Sequence, residues 1–81
     1  MTLKSIHSHS IPNGTKLVAI FADGSGADLF MVDDNGDLYD AEFTHYGPAP
    51  DTYLIDAGFC MWMELPDGFP FWFEQKEETR P

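Results

Sequence analysis

Positive charge is what this sequence has least of. Four Lys and Arg stand against fourteen Asp and Glu in 81 residues, a formal net charge of −10 and a pI near 4.2. A field of that sign excludes a protein that holds DNA, RNA or an anionic membrane by its own charge, so any nucleic-acid role is expected to be indirect. Cysteine is nearly missing as well. Cys60 has no second cysteine to pair with, so no internal disulfide staples the chain and a reducing, cytoplasmic setting is expected. Long apolar runs are absent too: nothing approaches the roughly 18 residues of a spanning helix. Met1-Thr2-Leu3-Lys4 lacks the apolar stretch of a signal peptide. Catalytic signatures fail one after another. Asp23-Gly24-Ser25-Gly26 lacks the Lys-Ser/Thr of a phosphate loop, and the chain has no HExxH, CxxC or GxSxG. A non-catalytic protein without cofactor or metal is therefore expected.

What is present is enough apolar surface to fold. Hydrophobic residues make up 43%, with seven Phe, three Tyr and two Trp, which is too much for a disordered chain and suits one small core. A single domain over residues 1–81 is expected, with 1–10 and 75–81 peripheral. Turn residues recur at short intervals: Pro12-Asn13-Gly14, Asp23-Gly24-Ser25-Gly26, Asp33-Asp34-Asn35-Gly36, Gly47-Pro48-Ala49-Pro50, Ala57-Gly58 and Pro66-Asp67-Gly68. Between them lie β-branched and aromatic stretches at 15–22, 27–32, 37–43, 52–56, 59–65 and 69–74. The expected fold is all-β, a small antiparallel meander of five or six strands in a strongly curled sheet or open barrel. Asn35-Gly36 reads as a two-residue type I′ hairpin. For the last hairpin, Gly68 in a left-handed bulge position sets Leu65 opposite Phe69, Met63 opposite Phe71 and Met61 opposite Phe73, an apolar core face. Trp62 and Trp72 then share the other face.

Acidic residues concentrate in one place. Asp28, Asp33, Asp34, Asp37, Asp40 and Glu42 fall within fifteen residues that contain no Lys or Arg. Like charges held on one hairpin cost stability, so a purpose other than folding is implied. In the stretch 37–43, alternation sets Tyr39, Ala41 and Phe43 on one side and Leu38, Asp40 and Glu42 on a water-facing acidic side. Residues two apart on a strand lie about 6.5 to 7 Å apart, close to the spacing of successive phosphates, so Asp40 and Glu42 can imitate two of them. A calcium loop does not explain the cluster. Counting from Asp33, the position that requires Gly holds Leu38 and the twelfth holds Thr44. Asp23, Ser25 and Asp28 form at most an irregular oxygen site. His7 and His9 read as solvated side chains, and a Cys60–His45 nucleophile pair is opposed by the mid-strand position of Cys60.

Ile11-Pro12, Leu17-Val18-Ala19 with Asp23-Gly24, and Trp62-Met63-Glu64-Leu65-Pro66 resemble a group of short phage and prophage proteins of unknown function that end in Trp-Met-x-Leu-Pro. The resemblance implies a viral or prophage origin. It departs after Pro66, where residues 69–74 add a strand. By analogy, acidic phage-encoded DNA mimics that block host nucleases or defence complexes are the natural comparison. The expected function is thus an inhibitor in the host cytoplasm that occupies the basic nucleic-acid-binding surface of a host protein. Its binding residues would be Asp28, Asp33, Asp34, Asp37, Asp40 and Glu42, with Tyr39, Trp62 and Trp72 as apolar anchors where exposed. The competing expectation is a structural or assembly module that forms a homodimer or docks through an aromatic face around Trp62 and Trp72.

Overall fold

A computed structural model describes residues 2–66, 68 and 69. Among these residues six strands form one antiparallel sheet: β1 (Lys4–Ser5), β2 (Lys16–Phe21), β3 (Ala27–Val32), β4 (Leu38–Asp40), β5 (His45–Gly47) and β6 (Phe59–Glu64), with one helix, α1 (Pro50–Asp56). The spatial order is β1-β6-β2-β3-β4-β5. Strands β2 to β5 make the expected meander. The chain then crosses by way of α1 and returns as β6 against the far side of β2, so among the described residues β1 and β5 are the outer strands and the sheet does not close.

The stretch 52–56, expected as a strand, is helical. Pro50 takes the first helical position, where its missing N–H costs nothing, and Asp51 lies in the first turn. Gly58 ends the helix at φ 105 with its N–H donating to the Ile55 carbonyl. The third strand is also shorter than 37–43. It stops at Asp40 because that carboxylate accepts the N–H groups of Glu42 and Thr44, both at 2.9 Å, and curls the chain out of the ladder. Phe43 is consequently at φ 69, off the strand and exposed. The expected sides of this strand are reversed: Leu38 is fully buried, not water-facing.

The hairpin between β3 and β4 uses the expected residues in a different turn. The Gly36 N–H bonds to the Asp33 carbonyl at 3.1 Å, and among the described non-glycine residues only Phe43 and Ala49 have positive φ. Asp34 and Asn35 are thus the central pair, and Gly36 follows at φ 86. This three-residue arrangement replaces the type I′ turn, and Asp33 selects it by accepting the N–H of Asn35 and of Asp37 at 2.9 Å each.

Register sorts the side chains into two faces. On one, cross-strand rows run Lys4–Trp62–Ala19–Asp28, Glu64–Leu17–Phe30–Asp40 and Val32–Leu38–Gly47. This face carries the core: Leu17, Ala19, Phe30, Val32, Leu38 and Trp62, closed over by Leu54 of α1 and by Ile6 and Ile11. The N-terminal segment supplies β1 and the buried Ile6. On the other face the rows are Ser5–Met61–Ile20–Ala27, Met63–Val18–Leu29 and Lys16–Met31–Tyr39–His45. None of these belongs to the buried core cluster.

Candidate functional site: the acidic end of the sheet

The acidic residues gather on the β3–β4–β5 side, but not as one patch. Asp28 and Asp40 lie in rows of the core-bearing face, whereas Asp37, one residue from Leu38, goes with Tyr39 on the opposite face. Glu42 is in the turn after β4. The expected phosphate-like pair of Asp40 and Glu42 on one strand face is therefore not formed.

Several of these carboxylates are occupied locally. Asp40 bonds the two turn amides through Oδ1, and its Oδ2 accepts the Tyr46 hydroxyl at 2.7 Å. Burial acts to raise the Asp40 carboxyl, but the bonds from Tyr46 and from the Thr44 and Glu42 amides outweigh it and hold the group below the usual carboxylate range. The same hydrogen bond, followed by burial, pushes the Tyr46 phenol up to about 12. Asp33 is engaged by the amides of its own hairpin turn. Asp37 meets the His45 imidazole at 3.0 Å. Asp28, Asp34 and Glu42, by contrast, are exposed.

Aromatic rings flank both sides of this end. Tyr46 stacks on Tyr53 at 4.6 Å between centroids. On the other face Tyr39 stacks on Phe43 at 5.2 Å and lies 4.9 Å from His45. Tyr39 sits where its phenol is raised by desolvation and then by the negative charge of Asp33 and Asp37. Phe43 is 58% exposed. Sequence reasoning missed Phe43 as a surface aromatic because alternation carried the strand through it. The signal for its exposure was the Asp-x-x-x-Thr spacing of Asp40 and Thr44, a side-chain turn that ends a strand.

Trp62 is not a surface anchor. It is 1% exposed, its indole N–H donates to the His9 carbonyl at 3.0 Å, and it pairs with the small Ala19, which leaves room for the ring. Lys4 covers one side of it, its Nζ 4.9 Å from the ring centroid. Trp72 lies outside the described residues, as do the rings of the expected last hairpin beyond Phe69. At the described end of that hairpin, Gly68 is left-handed at φ 82. Met61 pairs with Ser5 and Ile20, and the expected pairs with Phe71 and Phe73 lie outside the described residues.

Among the described residues no three His, Cys, Asp or Glu side chains converge as a metal-binding group. His9 and Ser8 bond to one another at 3.0 Å, and Asp23 accepts the Ser25 N–H in its own turn. Cys60 and His45 sit on β6 and β5, four strand spacings apart in the sheet, roughly 19 Å, too far for a nucleophile–base pair. A hollow of about 260 Å³ between Gly14, Lys16, Glu64 and Pro66 brings together one cation and one carboxylate. Among the described residues no helix is long and apolar enough to cross a membrane. No protein-family model, curated protein or solved structure matches the chain.

Proposed function

We propose that this chain is a non-catalytic acidic binding protein that occupies the basic, nucleic-acid-binding surface of a partner protein. The observation that carries the reading is the one-sided distribution of charge. No Lys or Arg occurs between residues 17 and 75. The described lysines are in β1 and at the start of β2, whereas Asp28, Asp33, Asp34, Asp37, Asp40 and Glu42 fall in β3, β4 and the turns that follow them. A field polarised in this way steers and orients a basic partner. The contact groups of choice are the exposed Asp28, Asp34 and Glu42, with Tyr39 and Phe43 as the apolar anchor in place of Trp62. The phage resemblance makes a host protein the natural target and the host cytoplasm the natural setting.

The test is capture from bacterial lysate on immobilised protein, eluted with rising salt, beside a variant carrying Asp34→Lys and Glu42→Lys. The expected outcome is a nucleic-acid-binding protein released by salt and displaced by duplex DNA, with about tenfold weaker capture by the variant at a melting temperature no lower than that of the unaltered protein. Equal capture by the variant overturns the reading. The alternative of a dimerising or docking module survives with a different face. A salt-resistant self-complex would favour it, since apolar association holds or strengthens as ionic strength rises.

A further inference from the structure

Phe43 is held where a large apolar residue is doubly disfavoured. Its φ of 69 is in the left-handed region, which suits glycine and strains a residue with a Cβ, and 58% of it is exposed. A ring kept on the surface in a strained backbone points to a use for the ring. Its neighbours define the chemistry. Phe43 stacks on Tyr39 with centroids 5.2 Å and planes 23° apart, and Tyr39 lies 4.9 Å from the His45 ring. Two carboxylates of the β3–β4 turn share this face. Val32 and Leu38 are paired and fully buried, so alternation sets Asp33 and Asp37, each one residue beyond that pair, on the side of Tyr39. The Asp33 N–H donates to the Asp37 carbonyl at 3.0 Å, which keeps the two residues side by side. The Tyr39 phenol registers both charges, since Asp33 and Asp37 add to desolvation in raising it. Asp33 engages its turn through Oδ1 and Asp37 meets His45 through Oδ2, and each carboxylate has a second acceptor oxygen. Lys16, in the same cross-strand row, stands two strands from Tyr39, roughly 10 Å away.

We propose that the exposed ring of Phe43, together with the carboxylates of Asp33 and Asp37, receives an arginine side chain of the basic partner. The inference rests on the binding reading above and deepens it from a match of charge to one side-chain type. A guanidinium is planar and weakly hydrated, so it stacks flat on an aromatic face and keeps its N–H edge for carboxylates. A lysine ammonium answers the charge equally well but has no plane to lay on the ring and gives up its water less readily. An anionic ligand is excluded by the two carboxylates, and a purely apolar one would leave them without a counter-ion. Ring and acids on one face thus fit arginine better than any other side chain.

Tetraarginine and tetralysine peptides, capped at both ends and equal in charge, are the probes. They are titrated at low salt into the full-length protein with 13C-labelled aromatic rings. Tetraarginine is expected to bind about fivefold more tightly than tetralysine, the scale of an exposed cation–ring contact, and to shift the Phe43 and Tyr39 ring resonances. In Phe43→Leu, which keeps the apolar bulk and removes the ring, the two peptides should bind equally. Should that variant not fold, the ratio and the ring shifts in the unaltered protein still decide. Equal, salt-sensitive binding of both peptides by the unaltered protein would overturn the arginine assignment and leave the acidic binding reading standing. Binding of neither peptide would overturn both. An arginine preference that survives Phe43→Leu, or ring shifts confined to other aromatics, would overturn the assignment to Phe43.

Discussion

Asp40 shows how a residue chosen for its charge turns out to serve the fold. Its carboxylate closes the turn after β4 and holds Tyr46, so removing it gives two exposed turn amides up to water and takes the acceptor from the part-buried Tyr46 hydroxyl. Asp40→Ala is expected to destabilise by about 2 kcal/mol, in line with hydrogen bonds to a charged group. Asp34→Ala, at an exposed position, should stay within about 0.5 kcal/mol, and denaturant unfolding of the two variants checks the contrast. The pH dependence has two limbs with opposite signs. The Asp40 carboxyl is depressed in the folded state, so its contribution is present above the unfolded value of 3.8 and is lost as pH falls through the lower folded value. The Tyr46 phenol is raised, so its contribution is intact below the unfolded value of 10.0 and is lost as pH rises through about 12. Near-UV titration should find a tyrosine ionising near 12 that disappears in Tyr46→Phe. In Asp40→Asn that late step should move back toward ordinary tyrosine. A late step that persists in Tyr46→Phe would refute the assignment.

At the scale of elements, strands flanked by local turn signals were readable and elements defined by packing were not. The stretch 27–32 is β3 to the residue, because its bounds are set by the turns on either side. α1 reads as a strand in composition because Thr52, Tyr53 and Ile55 favour one. Seven residues are also too few to make a helix stable alone. The fully buried Leu54, packed over the sheet, supplies what propensity does not. Leu54→Ala is accordingly expected to cost roughly 2–5 kcal/mol and to lower helicity as well as melting temperature. The β3–β4 turn makes a second element-level case. At Gly36, φ is 86, and an added Cβ would lie 3.3 Å from the Asn13 side-chain oxygen. Gly36→Ala should therefore cost about 1–2 kcal/mol from the left-handed backbone alone, measurable by denaturant unfolding. β5 escaped notice since three residues, His45–Gly47, carry no period.

Among the described residues the acids of β3, β4 and their turns lie toward one edge of the sheet, and Lys4 and Lys16 toward the other. Self-repulsion among the carboxylates should make stability depend on ionic strength. Raising salt from about 0.01 to 0.15 M shortens the screening length from about 30 to about 8 Å, and the melting temperature is expected to rise. A fall would mean that favourable ion pairs dominate. Charge sign, the all-β class, the absence of a disulfide and the turn positions come from the sequence by itself, because each depends on composition or on residues within a few places of one another. The site was legible only as a concentration of acids between Asp28 and Glu42. Which of them face outward was decided by cross-strand register and by side-chain turns, and so was the exposure of Phe43. The tertiary structure alone decided that β6 lies beside β2, that Trp62 is inside and that Ile6 joins the core. Burial of this kind is a property of layers brought together from residues up to 58 positions apart, as in the pairing of Lys4 with Trp62, and alternation along one strand cannot say which of its two faces another element will cover.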